Sequence, residues 1–139
     1  MIILDTNVVS ELMRPVPAPA VLRWVGAQPA ANLFVTTITK AEILYGVQCL
    51  PRGKKRDALE ADAEAVFDQE FAERVLPFGG GAATAYAVIA AERRRIGRPI
   101  GILDAQIAAV TRSLDAKLAT RDVDDFVSCG IDVIDPWTH

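Results

Sequence analysis

The chain alternates short, wholly apolar runs with longer stretches in which apolar residues recur every three or four positions. Runs of the first kind are too short for helices and read as strands buried on both faces. Stretches of the second kind read as helices with one inward stripe. Met1–Leu4 opens the chain as such a strand, and Thr6 to about Met13 follows as a helix. Pro15, Pro17 and Pro19 impose a loop and then the start of a second helix, on which Val21, Leu22 and Val25 share a face. Leu33–Thr37 is β-branched and reads as a strand.

Thr39 is expected to start a third helix, with Ile43, Leu44, Val47 and Leu50 turned inward, until Pro51 and Gly53 break it. Leu59, Ala63, Val66, Phe67 and Phe71 carry a helical stripe through the next, highly charged stretch. Val75–Phe78 is a candidate short strand, and Gly79-Gly80-Gly81 reads as a flexible break. A helix from about Ala82 to Ile96 places Ala85, Tyr86, Ile89 and Ile96 on one side; Gly97, Arg98 and Pro99 close it. Leu103, Ile107, Val110 and Leu114 define another helix beginning near Leu103, with Leu103 and Ile107 expected to face the core. Lys117–Ala119 and Val133-Ile134 are the last strands. Helices alternating with short apolar strands predict an α/β sandwich around a mainly parallel sheet.

Composition narrows the class. The 139 residues suit one domain, residues 1–139, and 51% apolar with 24% charged residues describes a globular chain. No apolar run approaches the ~20 residues of a membrane span. The opening lacks the basic start and cleavage site of a signal peptide, so no membrane association and a cytoplasmic location are expected. Cys49 and Cys129 have no metal-type spacing and read as reduced, partly buried thiols. The net charge of −3 argues against a nucleic-acid binder. Two basic clusters soften that objection, since either could track a phosphate backbone: Arg52, Lys54, Lys55 and Arg56, and Arg93, Arg94, Arg95 and Arg98.

Four acids at four junctions change the picture most. Asp5 ends the first strand, Glu42 lies one turn into a helix, Asp104 opens another, and Asp122 follows Leu118-Ala119-Thr120-Arg121. Open α/β sheets place ligands where strands end and helices begin. Each acid has a local explanation as well. Asp5, Asp104 and Asp122 could cap the elements they precede or open, and Thr39 with Glu42 has capping-box spacing. Jointly they suggest an oxygen-rich site for Mg²⁺, or Mn²⁺ as its substitute, acting on phosphate esters. No phosphate-binding Gly-Lys loop is present, and His139 is the lone histidine, so a P-loop ATPase and a histidine-based triad have little support. A receiver-type signalling domain would need adjacent acids after the first strand, and Asp5-Thr6-Asn7 has one. A non-catalytic module whose acids bind an arginine-bearing partner stays open.

Four stretches, in order and spacing, carry a resemblance: Ile3-Leu4-Asp5-Thr6-Asn7-Val8-Val9-Ser10-Glu11, Thr36-Thr37-Ile38-Thr39-Lys40-Ala41-Glu42-Ile43, Ile102-Leu103-Asp104-Ala105-Gln106-Ile107-Ala108-Ala109 and Ala119-Thr120-Arg121-Asp122-Val123-Asp124-Asp125-Phe126. Ile134-Asp135-Pro136-Trp137 extends it to the last residues. The chain resembles the PIN-domain ribonucleases, specifically the VapC toxins of toxin–antitoxin pairs and their FitB-like branch. The resemblance implies a three-layer α/β/α sandwich and a toxic, metal-dependent endoribonuclease. It implies a pocket of Asp5, Glu42, Asp104 and Asp122 that holds the metal and is supported by Thr6, Asn7 and Thr120. It further implies a small VapB/FitA-like antitoxin that lays a helix on the toxin and points an arginine into the pocket, and a homodimer. Val21, Val25, Ile43, Val47 and Leu50 are candidate docking surface or core. One departure is Gly79, where related sequences often have an acid after Pro-Phe; a weaker helix start is expected there.

Overall fold

The apolar opening becomes the central strand. In a computed structural model describing residues 1–139, β1 (Ile2–Leu4) pairs with β2 (Leu33–Thr36) on one side and β4 (Lys117–Ala119) on the other. β3 (Val75–Leu76) extends the sheet beyond β2, and β5 (Asp132–Ile134) extends it beyond β4. The order is β3-β2-β1-β4-β5, and every pair is parallel. Parallel neighbours require crossovers, and helices supply them: α1 (Thr6–Leu12), α2 (Pro19–Gly26), α3 (Thr37–Gln48), α4 (Lys54–Ala65), α5 (Gly80–Arg95) and α6 (Ile102–Ser113). No helix is long and apolar enough to cross a membrane.

Successive strand residues divide between two cores. Leu4 and Ala119 join one with Val8, Val21, Trp24, Val35 and Phe67. Ile3 and Leu118 join the other with Ile89, Ile107, Ala108 and Val110. Period-two side chains buried on both faces give the expected three-layer α/β/α sandwich. Each fully buried aliphatic side chain contributes roughly 1.5–3 kcal/mol.

Several boundaries differ from expectation for local reasons. The third helix starts at Thr37, because Thr36 is its N-cap and accepts from the Thr39 N–H at 3.1 Å. The strand therefore runs straight into the helix, and Thr39 and Glu42 form no capping box. β3 stops before Pro77, which has no N–H for a ladder. Gly80 and Gly81 are helical, in the first turn of α5, where the backbone N–H groups have no intrahelical partner anyway. Gly79, the N-cap, gives that helix no side-chain cap. The α6 stripe is also misjudged: Leu103 is 48% exposed, whereas Ala105, Ala108 and Ala109 are buried beside Ile107. Alanines let α6 lie close to the sheet and to α5, which leaves the large residues at its ends outside. Leu22, Ile96 and Leu114 are likewise exposed. Val21 is fully buried, so it is core and offers no docking surface.

Candidate active site

The carboxyl ends of β1, β2 and β4 meet where the strand order turns back on itself, the position at which open parallel sheets form a crevice. Asp5 sits there as the N-cap of α1. Glu42 arrives from α3, Asp104 from the first turn of α6, and Asp122 just after β4. All four line one open cup of about 500 Å³. Folding thus brings together every acid singled out from the sequence. The capping explanations fare unevenly: Asp5 does cap α1, but Asp104 is preceded by Gly101 as N-cap, and Asp122 makes no side-chain cap.

Asp5 is 5% exposed and is held on both oxygens. Its Oδ1 accepts from the Thr6 N–H at 2.8 Å, and its Oδ2 from the Thr120 hydroxyl at 2.7 Å. Thr120 in turn accepts from the Asp122 N–H at 3.1 Å and from Asn7 Nδ2 at 3.2 Å. Asn7 Nδ2 also donates to Asp122 Oδ2 at 3.1 Å, and Asn7 Oδ1 accepts from the Arg121 N–H at 3.3 Å. On the other side, the Thr6 hydroxyl donates to Glu42 Oε1 at 2.9 Å. Thr6, Asn7 and Thr120 therefore connect Asp5, Glu42 and Asp122, though not Asp104, and none is merely a local turn cap.

The electrostatics are those of a site with too few cations. Burial pushes the Asp5 carboxyl above its ordinary value; bonds from Thr120 and Thr6 pull it back, and Glu42 and Asp122 push it up. Asp104 is pushed up to about 6, by burial first and then by repulsion from Asp5, Asp125 and Asp122. The protein's two ion pairs, Arg14–Glu11 and Arg95–Glu92, leave these four acids without a cationic side-chain partner. No three of the carboxylates converge as a ready-made cage for an ion. Oxygen-only donors in an open cup nevertheless suit Mg²⁺, which keeps several waters and takes one or two carboxylates.

Five further residues line the cup and were not anticipated: Ser10, Glu11, Arg14, Arg121 and Trp137. Neither sequence-identified basic cluster reaches it. Arg93 is buried instead, donating to the carbonyls of Arg98 and Asp125 at 2.6 and 2.7 Å, so the second cluster is no continuous phosphate-tracking face. It pins the segment after Asp122 to α5. Ile43, Val47 and Leu50 do line a groove between α1 and α3, which shares Thr6, Ser10, Arg14 and Glu42 with the cup.

An all-parallel three-layer sandwich with acids gathered at its carboxyl edge is the class that fold and site define together. Residues 2–129 match the PIN domain family, and the chain belongs to that family. It is 40% identical to VapC ribonuclease Y4jK of Sinorhizobium fredii over 137 residues, 99% of this chain and 98% of that protein. It is 36% identical to toxin FitB of Neisseria gonorrhoeae over 99% of both chains. The solved structure of FitAB bound to the IR36 DNA fragment superposes with a TM-score of 0.91 at 36% identity, covering 99% of this chain and 96% of that one.

Proposed function

We propose that this protein is a toxin of the VapC/FitB kind: an endoribonuclease dependent on Mg²⁺ or Mn²⁺ and restrained by a cognate antitoxin. The observation that carries this reading is the convergence of Asp5, Glu42, Asp104 and Asp122 in one cup without a cationic partner. The likeness to a VapC ribonuclease supports RNA as the substrate, and the likeness to FitAB complexes supports the antitoxin. Residues 1–139 would work as one unit, in the cytoplasm.

Asp5 and Asp104 are the residues that would hold the main cation, with Glu42 and Asp122 completing its surroundings. A divalent ion there offsets the negative charge of a phosphodiester and lowers the pKa of water. The chain's own groups do the positioning. Thr120 and Thr6 fix the two oxygens of Asp5, so its carboxylate cannot rotate away. Thr6 also fixes Glu42, which together with Asp122 would complete the cation's surroundings, orient the attacking water or hold a second ion. Attack by water in line would form a new P–O bond as the P–O3′ bond breaks, with one proton of that water ending on O3′, leaving a 5′-phosphate and a 3′-hydroxyl. No RNA 2′-hydroxyl is needed as nucleophile. The cup's five carboxylates outnumber its two guanidinium groups by three, which also suits an inserted arginine of an antitoxin.

The test is Mn²⁺-dependent cleavage of RNA by Asp5→Asn, with circular dichroism run alongside. The variant should keep its fold and lose at least about 100-fold in activity. Full activity in a folded Asp5→Asn protein would refute the site.

A further inference from the structure

The cup presents a difficulty for its own substrate. Three uncompensated negative charges face a polyanion. Two arginines line it, and neither pairs with Asp5, Glu42, Asp104 or Asp122. Arg14, just past the end of α1, also lines a groove beside α3; Arg121 follows β4 in the chain, between Thr120 and Asp122. Each is tethered by a different device. Arg14 is 64% exposed and bonds both oxygens of Glu11, at 3.1 and 3.0 Å, while Glu11 is itself 7% exposed. Both bonds leave from Nη1, so Nη2 and Nε remain available. Arg121 makes no ion pair; its guanidinium lies 5.0 Å over the ring of Trp137, which packs against the core. A guanidinium resting on an aromatic face keeps its in-plane N–H groups free.

We infer that Arg14 and Arg121 are the substrate-strand contacts of this site, gripping RNA phosphates on either side of the scissile one. Glu11 and Trp137 are their positioning residues. The inference rests on the nuclease reading above. The tethers do two things at once: they keep both guanidinium groups off Asp5, Glu42, Asp104 and Asp122, and they leave donors unused for a strand. An untethered arginine would collapse onto the nearest carboxylate and close the cup. Arg14 is mostly solvated while Glu11 is buried, so the pair holds the guanidinium in a fixed place beside the cup.

The experiment measures cleavage of a 5′-fluorescein single-stranded RNA with Mn²⁺ over a range of KCl, for Arg14→Gln, Arg121→Gln and Arg94→Gln. The last is an exposed arginine of α5 that does not line the cup. Binding of the same RNA by fluorescence anisotropy, in an Asp5→Asn background, is the second readout. KM should rise about 5–20-fold for each rim variant with kcat within about twofold, the pattern of lost uniform binding. The slope of log affinity against log salt should become shallower by about 0.7 per arginine, as for one lost phosphate contact on a single strand. Arg94→Gln should match the parent. Arg14→Gln leaves Glu11 without its partner, so Glu11→Gln/Arg14→Gln is measured beside it and should give the same KM and slope. Unchanged KM and salt slope in the rim variants, while the parent protein cleaves, would overturn this inference alone. A parent protein that neither binds nor cleaves RNA would overturn the nuclease reading and this inference with it.

Discussion

Asp104→Asn should make the metal-free protein more stable while destroying its proposed activity. In the folded chain the Asp104 carboxyl is pushed from 3.8 up to about 6. The folded state therefore holds this proton more tightly than the unfolded chain does, and ionising the group favours unfolding. The gap corresponds to about 3 kcal/mol. Asp104 is only half-buried, and solvent screening reduces this to roughly 1.5 kcal/mol. The sign follows directly. Stability contributed by the protonated form is present below about pH 4, is lost as pH rises through about 6, and stays lost above. An amide carries no charge at any of these values. At about pH 7.5 in EDTA, the variant should be about 1.5 kcal/mol more stable than the parent, or about 3–6 °C higher in melting temperature. Near pH 4 the two should converge. Urea unfolding followed by circular dichroism across that range is the assay. Equal or lower stability of Asp104→Asn at neutral pH would refute the claim that carboxylate repulsion and burial dominate the cup. Adding Mg²⁺ should then reverse the order, since the parent gains about 1.4 kcal/mol for each tenfold excess over its dissociation constant.

Three further outcomes are expected. Thr120→Val removes the hydroxyl that donates to Asp5 and accepts from Asn7 and Asp122; it should lower Mn²⁺-dependent cleavage by about 10–100-fold. Arg93→Met strips the buried guanidinium from the carbonyls of Arg98, Asp125 and Val127, and urea unfolding should show a loss of about 2–4 kcal/mol. A loss under about 0.5 kcal/mol would mean that the loop after Asp122 does not depend on it. Thr36→Val deletes the α3 cap and should cost about 1 kcal/mol, read in the same way, because the Thr39 N–H loses its acceptor.

The parts of this protein that were legible in its sequence are those with one explanation available. Met1–Leu4 and Lys117–Ala119 are apolar and too short to be anything but strands. Four acids at element junctions belong together only if the strands are parallel and adjacent, which the alternation of elements implied. Legibility failed where neighbouring residues compete for one role. Thr36 and Thr39 both have cap chemistry, and the helix chose the earlier one because Thr36 still belongs to the strand. Leu103 fits a helical stripe as well as Ala105 does, and close packing favoured the smaller residue. The rim was partly readable: Asn7, Ser10, Glu11 and Arg14 follow helical spacing and make one polar face leading away from Asp5. Arg121 over Trp137 was not, since no pattern along the chain announces a cation resting on a ring contributed by a later segment.

The placement of Asp5 beside Thr120, at opposite ends of the chain yet across one pair of strands, has a consequence for a cell that makes this protein. A nascent chain emerging from the ribosome carries Asp5 and Glu42 well before β4 and Thr120 exist, and Asp104 shortly before. The acidic cup has no second wall until β4 has been made. Products that stop short of Lys117 are expected to be inactive, so an interrupted message yields inert fragments.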